Sequence, residues 1–585
     1  MATPVAATAV SQPTATQPAA TVTAVPPTQT PIPEDTPTPN TIATALALDA
    51  ATRAAGPTRE PTATPKPIPT LNPAVDRWWN DAVFYEVFVR SFNDSDGDGI
   101  GDLNGLIEKL DYLNDGDPAT TDDLGVTALW LMPIMESPSY HGYDVADYYT
   151  VEQDYGTNDD FKRLIEEAHK RGIRITIDLV INHTSTENPW FIASNDDDPA
   201  FRDWYVWADP APTYLGPWGE KVWYAGKDGY YYAVFWSGMP DLNLTNPGVT
   251  AEIDNITRFW LDEMGVDGFR MDAVRHLIEN GVAQENTPAT HAWLRAFHTF
   301  YKSVNPDAFT VGETWTDTQN AAQYAVDEND IPFEFNLAEE YVRAAGSPIS
   351  GNLYNVAELV EDSYPPNQFG IFLTNHDQNR VMSVLRDTTK AKLAAALLLT
   401  SPGVPFLYYG EEIGMTGTKP DEDIRRPMQW TSDSPNVGFT AGEPWRAPAD
   451  DYPEVSVSLE NADPDSLLNV YRSLIHLRND HEALREGDWT AVEPNSNRLY
   501  AFLRHTANET VLVVVNLNPN PVKAEDYSLD LVEGSLSGEV TAVTLFGADV
   551  EANPEVNAAG GFSSYHPLAE IPGQSATIIQ LVPGG

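Results

Sequence analysis

Three acidic residues close short apolar runs, and each has neighbours suited to controlling charge. Asp272 ends the run Gly268-Phe269-Arg270-Met271-Asp272, Glu313 follows Gly312 and precedes Thr314-Trp315, and Asp377 ends Asn375-His376-Asp377. Carboxyl groups in such positions suit hydrolysis of a sugar acetal with retention, which needs two of them about 5–5.5 Å apart. One attacks the anomeric carbon; the other protonates the leaving oxygen and later activates water. Arg270, two residues before Asp272 on one strand, faces the same side and is placed to keep Asp272 ionised and oriented. Trp315 beside Glu313 offers the apolar contact that favours a protonated acid. Taken singly, an Asp at a strand end is more often a helix cap, so a catalytic role depends on the elements that carry all three.

Strand-like apolar runs recur at 83–89, 127–132, 173–181, 268–272, 309–312, 333–336, 370–374 and 404–409, with amphipathic stretches such as 159–171 and 249–263 between them. Eight strands in βα alternation over about 400 residues predict an α/β fold, a (β/α)8 TIM barrel. The polar residues fall at the C-terminal strand ends, where barrel enzymes place their chemistry. The barrel is expected over 76–182 and 247–486, interrupted after strand three by a small inserted domain over 183–246. After Gly487 only strand-like runs remain, at 499–503, 511–517, 540–545 and 576–581, which predicts a C-terminal antiparallel β-sandwich over 487–585. Residues 1–75 are Pro, Thr and Ala-rich and read as an extended tether.

In order, the segments resemble the α-amylase superfamily, glycoside hydrolase family 13, and within it the group intermediate between α-amylases and oligo-1,6-glucosidases. The resemblance runs from about Trp78 to the C-terminus. It is carried by Asp178 to His183, Gly268 to His276, Gly312 to Trp315 and Phe372 to Asp377. It implies that Asp272 is the nucleophile, Glu313 the general acid/base, and Asp377 the carboxylate that grips sugar hydroxyls and helps distort the ring. It implies sugar contacts for Arg270, His183 and His376, a stacking platform at Tyr143, binding positions at His141 and His276, and a supporting place for Asp178. A non-catalytic glycan-binding homologue is the rival class; such relatives lose one or more carboxylates, and this chain keeps all three.

The alternating acids Asp94, Asp96, Asp98 and Asp102, with glycine turns and the Ile100 carbonyl, suit an oxygen-ligated Ca²⁺. The run reads like the first nine positions of an EF-hand loop, but position twelve is Gly105 and a strand precedes it, so it is not an EF-hand. The resemblance implies a structural Ca²⁺ here, as on the oligo-glucosidase side of the superfamily. Asn182 is a candidate for a further Ca²⁺ site with partners in the inserted domain.

Bond specificity is divided. Ala273 after the nucleophile and the run Met239 to Asn243 favour α-1,4 bonds, whereas the acidic loop is of the oligo-glucosidase kind. Asp144 and Arg425 match residues with which exo-acting glucosidases shut the pocket onto a terminal glucose. The leading reading is an α-glucan hydrolase acting on starch or maltooligosaccharides; the rivals are an α-glucosidase or oligo-1,6-glucosidase, and a 4-α-glucanotransferase or trehalose-forming enzyme. The aromatics Trp204, Trp207, Trp218, Trp223 and Tyr230 to Tyr232 of the insert suit either a binding surface or a core.

Composition sets the outer bounds. With 34 basic against 86 acidic residues the net charge is −52, which argues against nucleic acid and anionic membranes as partners and fits a neutral substrate. There is no cysteine, so disulfides, thiolate metal sites and thiol nucleophiles are excluded. No run of about 18 apolar residues is present to span a membrane, and no signal-peptide pattern opens the chain. The tether nonetheless predicts an extracellular or cell-surface enzyme, expected to be a monomer.

Overall fold

The computed structural model describes residues 77–584 together with Ile68 and Leu71. The tether expected over 1–75 therefore lies outside the described residues, those two positions apart. Eight parallel strands form one sheet: β1 Phe84–Val87, β2 Ala128–Leu131, β3 Arg174–Leu179, β4 Gly268–Met271, β5 Phe309–Gly312, β6 Ile331–Pro332, β7 Gly370–Phe372 and β8 Val404–Tyr408. Neighbours in the sheet follow chain order, β8 pairs with β1, and a parallel bridge from Phe333 to Gly370 joins β6 to β7 and closes the barrel.

Helices cover the outside. Asn158–Lys170 begins at a capping box of Thr157 and Asp160 and turns Phe161, Leu164, Ile165 and Ala168 inward. Pro247–Arg258 starts at the Asn246 cap, widens into a π-turn over Phe259–Met264, and stops at the left-handed Gly265. Both match the expected amphipathic stretches.

The strand period of two divides the barrel interior into layers. Phe84, Phe309, Val311, Phe333, Phe372, Val404 and Phe406 pack with Trp79 and Trp130 in one cluster, with Phe84 stacked on Phe406 at 4.4 Å between ring centroids. Two residues further along three strands, the side chains become charged: Glu86 after Phe84, Asp178 after Thr176, Arg270 after Gly268. Register puts Glu86 opposite Trp130 and Asp178 opposite Arg270. An aromatic plug thus supports a polar layer at the C-terminal mouth.

The sixth strand departs from expectation. It occupies Ile331–Pro332 rather than 333–336, and a helix over Phe335–Gly346 has already begun, capped by Glu334, whose carboxylate accepts from Asn336 N and Leu337 N. Phe333 and Phe335 are both buried in the aromatic plug, so their alternation mimics a strand while the Glu334 cap turns the backbone into a helix.

Residues 183–246 carry the helix Pro189–Asn195 and a three-stranded antiparallel sheet of Trp207–Ala208, Trp223–Ala225 and Tyr230–Tyr232. The C-terminal region holds β9 Asp488–Pro494, β10 Leu499–His505, β11 Thr510–Asn516, β12 Leu529–Glu533, β13 Val540–Phe546, β14 Gly560–Tyr565 and β15 Ser575–Pro583. β9 pairs with β10 through Asp488 to Val492 and with β12 through Glu493 and Pro494, so it bends from one layer to the other. Alternation assigns the two faces: Tyr500, Phe502, Val511, Val513 and Val515 join the barrel's core, while Leu499, Ala501, Leu503, Leu512 and Val514 fill the sandwich interior. Among the described residues no helix is long and apolar enough to cross a membrane.

Candidate active site

The polar layer is organised by one guanidinium. Arg270 Nη1 lies 2.6 Å from both Asp178 Oδ1 and Asp272 Oδ1, and Nη2 lies 3.0 Å from Glu313 Oε2. Trp130 closes the layer from below, its Nε1 donating to Asp178 Oδ2 at 2.9 Å and its ring 5.2 Å from the guanidinium carbon. Arg270 is 1% exposed, and a charge so buried is tolerable only with such partners. Burial opposes its charge, but Asp178, Glu313 and Asp272 hold it well above the usual range.

Asp272 and Glu313 differ in setting. Burial pushes the Asp272 carboxyl up; Arg270 pulls it back, Glu313 and Asp178 push again, and the result is a value raised to about 8. The Glu313 side chain is more open, 18% exposed against 10% for Asp272. Its Oε2 also accepts from Ala273 N at 2.9 Å, an amide aimed there because Ala273 adopts a left-handed φ of +49°. Trp315 stacks on Phe335 at 4.8 Å and packs against the aromatic plug.

On the opposite side, His376 joins two carboxylates: Nδ1 lies 2.5 Å from Glu86 Oε1, and Nε2 lies 3.1 Å from Asp377 Oδ2. Burial alone would lower its pKa, but Asp377 and Glu86 raise it to about 9, so the ring is an imidazolium at neutral pH. Burial disfavours the Asp377 anion, and His376, Arg425 and Lys419 more than compensate, holding it well below the usual carboxylate range. Arg425 Nη2 reaches Asp377 Oδ1 at 2.8 Å, and its Nε donates to the His376 carbonyl. Tyr143 stacks on His376 with a 14° interplanar angle, and its hydroxyl lies 2.7 Å from His376 Nε2. Tyr143 thereby links the two halves of the cluster, since its hydroxyl also donates to Asp178 Oδ2 at 3.3 Å.

The remaining candidates separate. His183 places Nδ1 3.0 Å from Asn182 Oδ1 and Nε2 3.1 Å from the Tyr143 carbonyl, two acceptors of which a neutral ring can donate to only one; burial lowers its pKa to about 4. His141 is lowered to about 3, chiefly by burial, and accepts the Tyr143 amide through Nδ1. His276 stands away from the carboxylates, its Nδ1 on the Gln284 carbonyl and its ring against Trp218 and Phe235. Asp144 and Arg425 do not pair. Asp144 is buried and accepts from the Ser137 and Ser139 hydroxyls, while Arg425 turns to Asp377 and Asp421. Two serine donors satisfy Asp144 without Arg425, and Asp377 is the nearer anion for the guanidinium.

The insert's aromatics also divide. Trp223 and Tyr232 are core, and Trp204 and Trp207 pack against Trp190 and Phe191. Trp218 instead joins Phe235, His183 and His276 in a ring cluster on the insert side of the cleft.

In the acidic loop, Asp94, Asp96 and Asp102 each bring a carboxylate oxygen within 4.8 Å of the others. Asp98 falls outside this trio, and its Oδ1 accepts from the Ile100 amide. Asp94 is fixed by the amides of Asp96, Gly97 and Gly99 and by the Thr440 hydroxyl at 2.5 Å. Those four donors fix both of its oxygens and, against burial, lower its pKa. Near Asn182, whose Nδ2 donates to the His276 carbonyl, Asp241 is fully buried with Oδ2 unbonded, and burial and then Glu279 hold it well above the usual range.

Glu86 and Trp130 were not legible as site residues from motif spacing. The available signal was a lone charge inside an apolar strand run, two residues after the inward-facing Phe84.

The profile of the alpha amylase catalytic domain matches residues 86–487. Alpha-amylase 3 of Dictyoglomus thermophilum is 41% identical over 451 residues, covering 75% of this chain and 85% of its own. The oligo-1,6-glucosidase of Heyndrickxia coagulans is 34% identical over 552 residues, covering 80% of this chain and 97% of its own. The crystal structure of an alpha-amylase from H. orenii superposes with a TM-score of 0.72 at 40% identity, covering 86% of this chain and 99% of that one.

Proposed function

The chain belongs to the α-amylase family of glycoside hydrolases, and from that premise we propose that it cleaves α-1,4-glucosidic bonds of starch or maltooligosaccharides with retention. The observation that carries the mechanism is the single Arg270 guanidinium holding Asp272 and Glu313 at adjacent strand ends, each with one oxygen free of partners among the described residues. Asp272 attacks the anomeric carbon as the glycosidic C–O bond breaks, and Glu313, the more exposed group, passes its proton to the leaving oxygen. Water then attacks the glycosyl ester, giving its proton back to Glu313 and freeing Asp272. Burial, and then Glu313, raise Asp272 in the free enzyme; the attacking form has Asp272 ionised and the proton of the pair on Glu313, and positive charge developing at the anomeric carbon favours that arrangement. Asp377, held anionic by His376 and Arg425, takes the sugar hydroxyls, and Tyr143 offers its ring to the same sugar.

Ala273, directly after the nucleophile, supports the α-1,4 preference through the family resemblance; it stands at a left-handed φ of +49°. A second reading, an α-glucosidase or oligo-1,6-glucosidase, is favoured by the acidic loop and by the similarity to the H. coagulans enzyme. Transfer to a sugar acceptor would use the same intermediate. The product profile over time from soluble starch, maltotriose, isomaltose and pullulan separates these. Cleavage of starch and maltotriose with isomaltose untouched is expected; preferential cleavage of isomaltose would defeat the α-1,4 assignment. We also propose that Asp94, Asp96 and Asp102, with Asp98 and the Ile100 carbonyl, hold a structural Ca²⁺ that fixes the loop after β1.

A further inference from the structure

The helix Leu467–Asp480 packs outside the barrel, and its last turn meets Gly125 just before β2, at the strand end remote from the polar layer. Asn469, Arg472, Ser473, His476 and Asp480 recur at spacings of three and four, so they share one face of this helix. That face, together with Asn461, walls a cavity of about 630 Å³. The proposed mechanism uses none of these residues.

Arg472 sets the character of the cavity. It is 6% exposed, yet among the described residues it has no carboxylate partner. Its Nη1 donates to two amide oxygens, Asn461 Oδ1 at 2.6 Å and Asn469 Oδ1 at 3.1 Å, and its Nε is buried without a bond. Asn469 is locked in that pose because its Nδ2 donates to the Glu460 and Asp463 carbonyls. Amide oxygens satisfy hydrogens but leave the positive charge uncancelled, and a buried charge in that state is costly until an anion joins it. On the same face the His476 ring lies against Gly125, where a Cβ would meet it at 2.8 Å. Its Nε2 is 3.1 Å from Asp123 Oδ1, and its Nδ1 has no protein partner among the described residues.

We propose that this cavity binds a small oxyanion, a phosphate or the phosphoryl group of a sugar phosphate, on the Arg472 guanidinium. The planar fork of an arginine suits the oxygens of a phosphate. Asn461 Nδ2 and the imidazolium form of His476 add donors from either side. No Trp, Tyr or Phe lines the cavity, so an uncharged sugar has no ring to stack on. Asp480, the one acid in the lining, stands two turns further on, about 12 Å along the helix axis from Arg472. The net charge of −52 opposes an anion at long range. Salt screens that repulsion beyond about 8 Å at physiological ionic strength, so the local guanidinium governs.

The test is ³¹P NMR of inorganic phosphate titrated with the full chain at constant ionic strength. The wild type is expected to broaden the phosphate resonance saturably, and Arg472→Gln to abolish the broadening. Ser473→Glu places a carboxylate on the exposed helix surface beside Arg472, and it is expected to weaken binding at least about tenfold by like-charge repulsion, with circular dichroism unchanged. Should Arg472→Gln fail to fold, Ser473→Glu alone decides. Glucose 6-phosphate, titrated in the same way, separates the two sources: binding tighter than that of phosphate assigns the site to a sugar phosphate, and weaker or equal binding assigns it to the free ion. Broadening absent from the wild type with both probes, or unchanged in Ser473→Glu, would overturn the proposal.

Discussion

Arg270 makes its three carboxylate neighbours conditional on one another, and His376 does the same on the other side of the cleft. Its ring carries a proton because Glu86 and Asp377 face its two nitrogens, which raises it to about 9 from an ordinary 6.5. The folded state thus binds this proton more tightly than the unfolded chain. The associated stability is fully present below pH 6.5 and is lost as pH rises through about 9. Asp377 works in the opposite sense: its contribution is present above its ordinary 3.8 and lost as pH falls toward its depressed value. Glu86→Gln removes one of the two anions. The ring nitrogens of His376, followed by ¹⁵N NMR, are expected to titrate near 9 in the wild type and at least about one unit lower in the variant; coincident titrations would show that Glu86 does not hold the proton.

At the scale of elements, strand alternation predicted most of what the barrel does. Asp272 and Glu313 directly follow β4 and β5, whose period of two points alternate residues into the mouth, whereas Asp377 stands beyond the end of β7 at Phe372; seven of the eight strands fall in or across the expected runs. The sixth did not, because Phe333 and Phe335 alternate like a strand while Glu334 caps a helix. Long-range pairing was not legible either: Asp144 carries a residue type that suits an ion pair with Arg425, but Ser137 and Ser139, only seven and five positions earlier, reach it first. The acidic loop is an element whose spacing does specify its fold, since Asp94 gathers three loop amides. If it holds Ca²⁺, saturating ion stabilises the native state by mass action. EDTA is then expected to lower the melting temperature by a few degrees, and Ca²⁺ to restore it. The effect should vanish in Asp94→Asn. Superimposable melting curves with and without chelator would remove the ion from the account.

Across the whole molecule, the C-terminal sandwich shares the barrel's core through one face of β10 and β11. Buried Arg504 adds to that joint, its guanidinium donating to the Gly487 and Thr400 carbonyls and to Asn367. Sequence predicted the sandwich from its strands, but this docking depends on which face of each strand turns toward the barrel, and that required coordinates. The net charge of −52 is compatible with the proposed neutral glucan substrate, since an uncharged sugar needs no steering by charge. The central claim is that one residue of this large fold, Asp272, becomes bonded to the sugar. Trapping with 5-fluoro-α-glucosyl fluoride, followed by mass spectrometry of the digested protein, tests it most directly. A fluoroglucosyl adduct is expected on the peptide carrying Asp272 and is absent in Asp272→Asn; an adduct on another residue, or turnover of the reagent with inverted product and no adduct, would show that Asp272 is not the nucleophile.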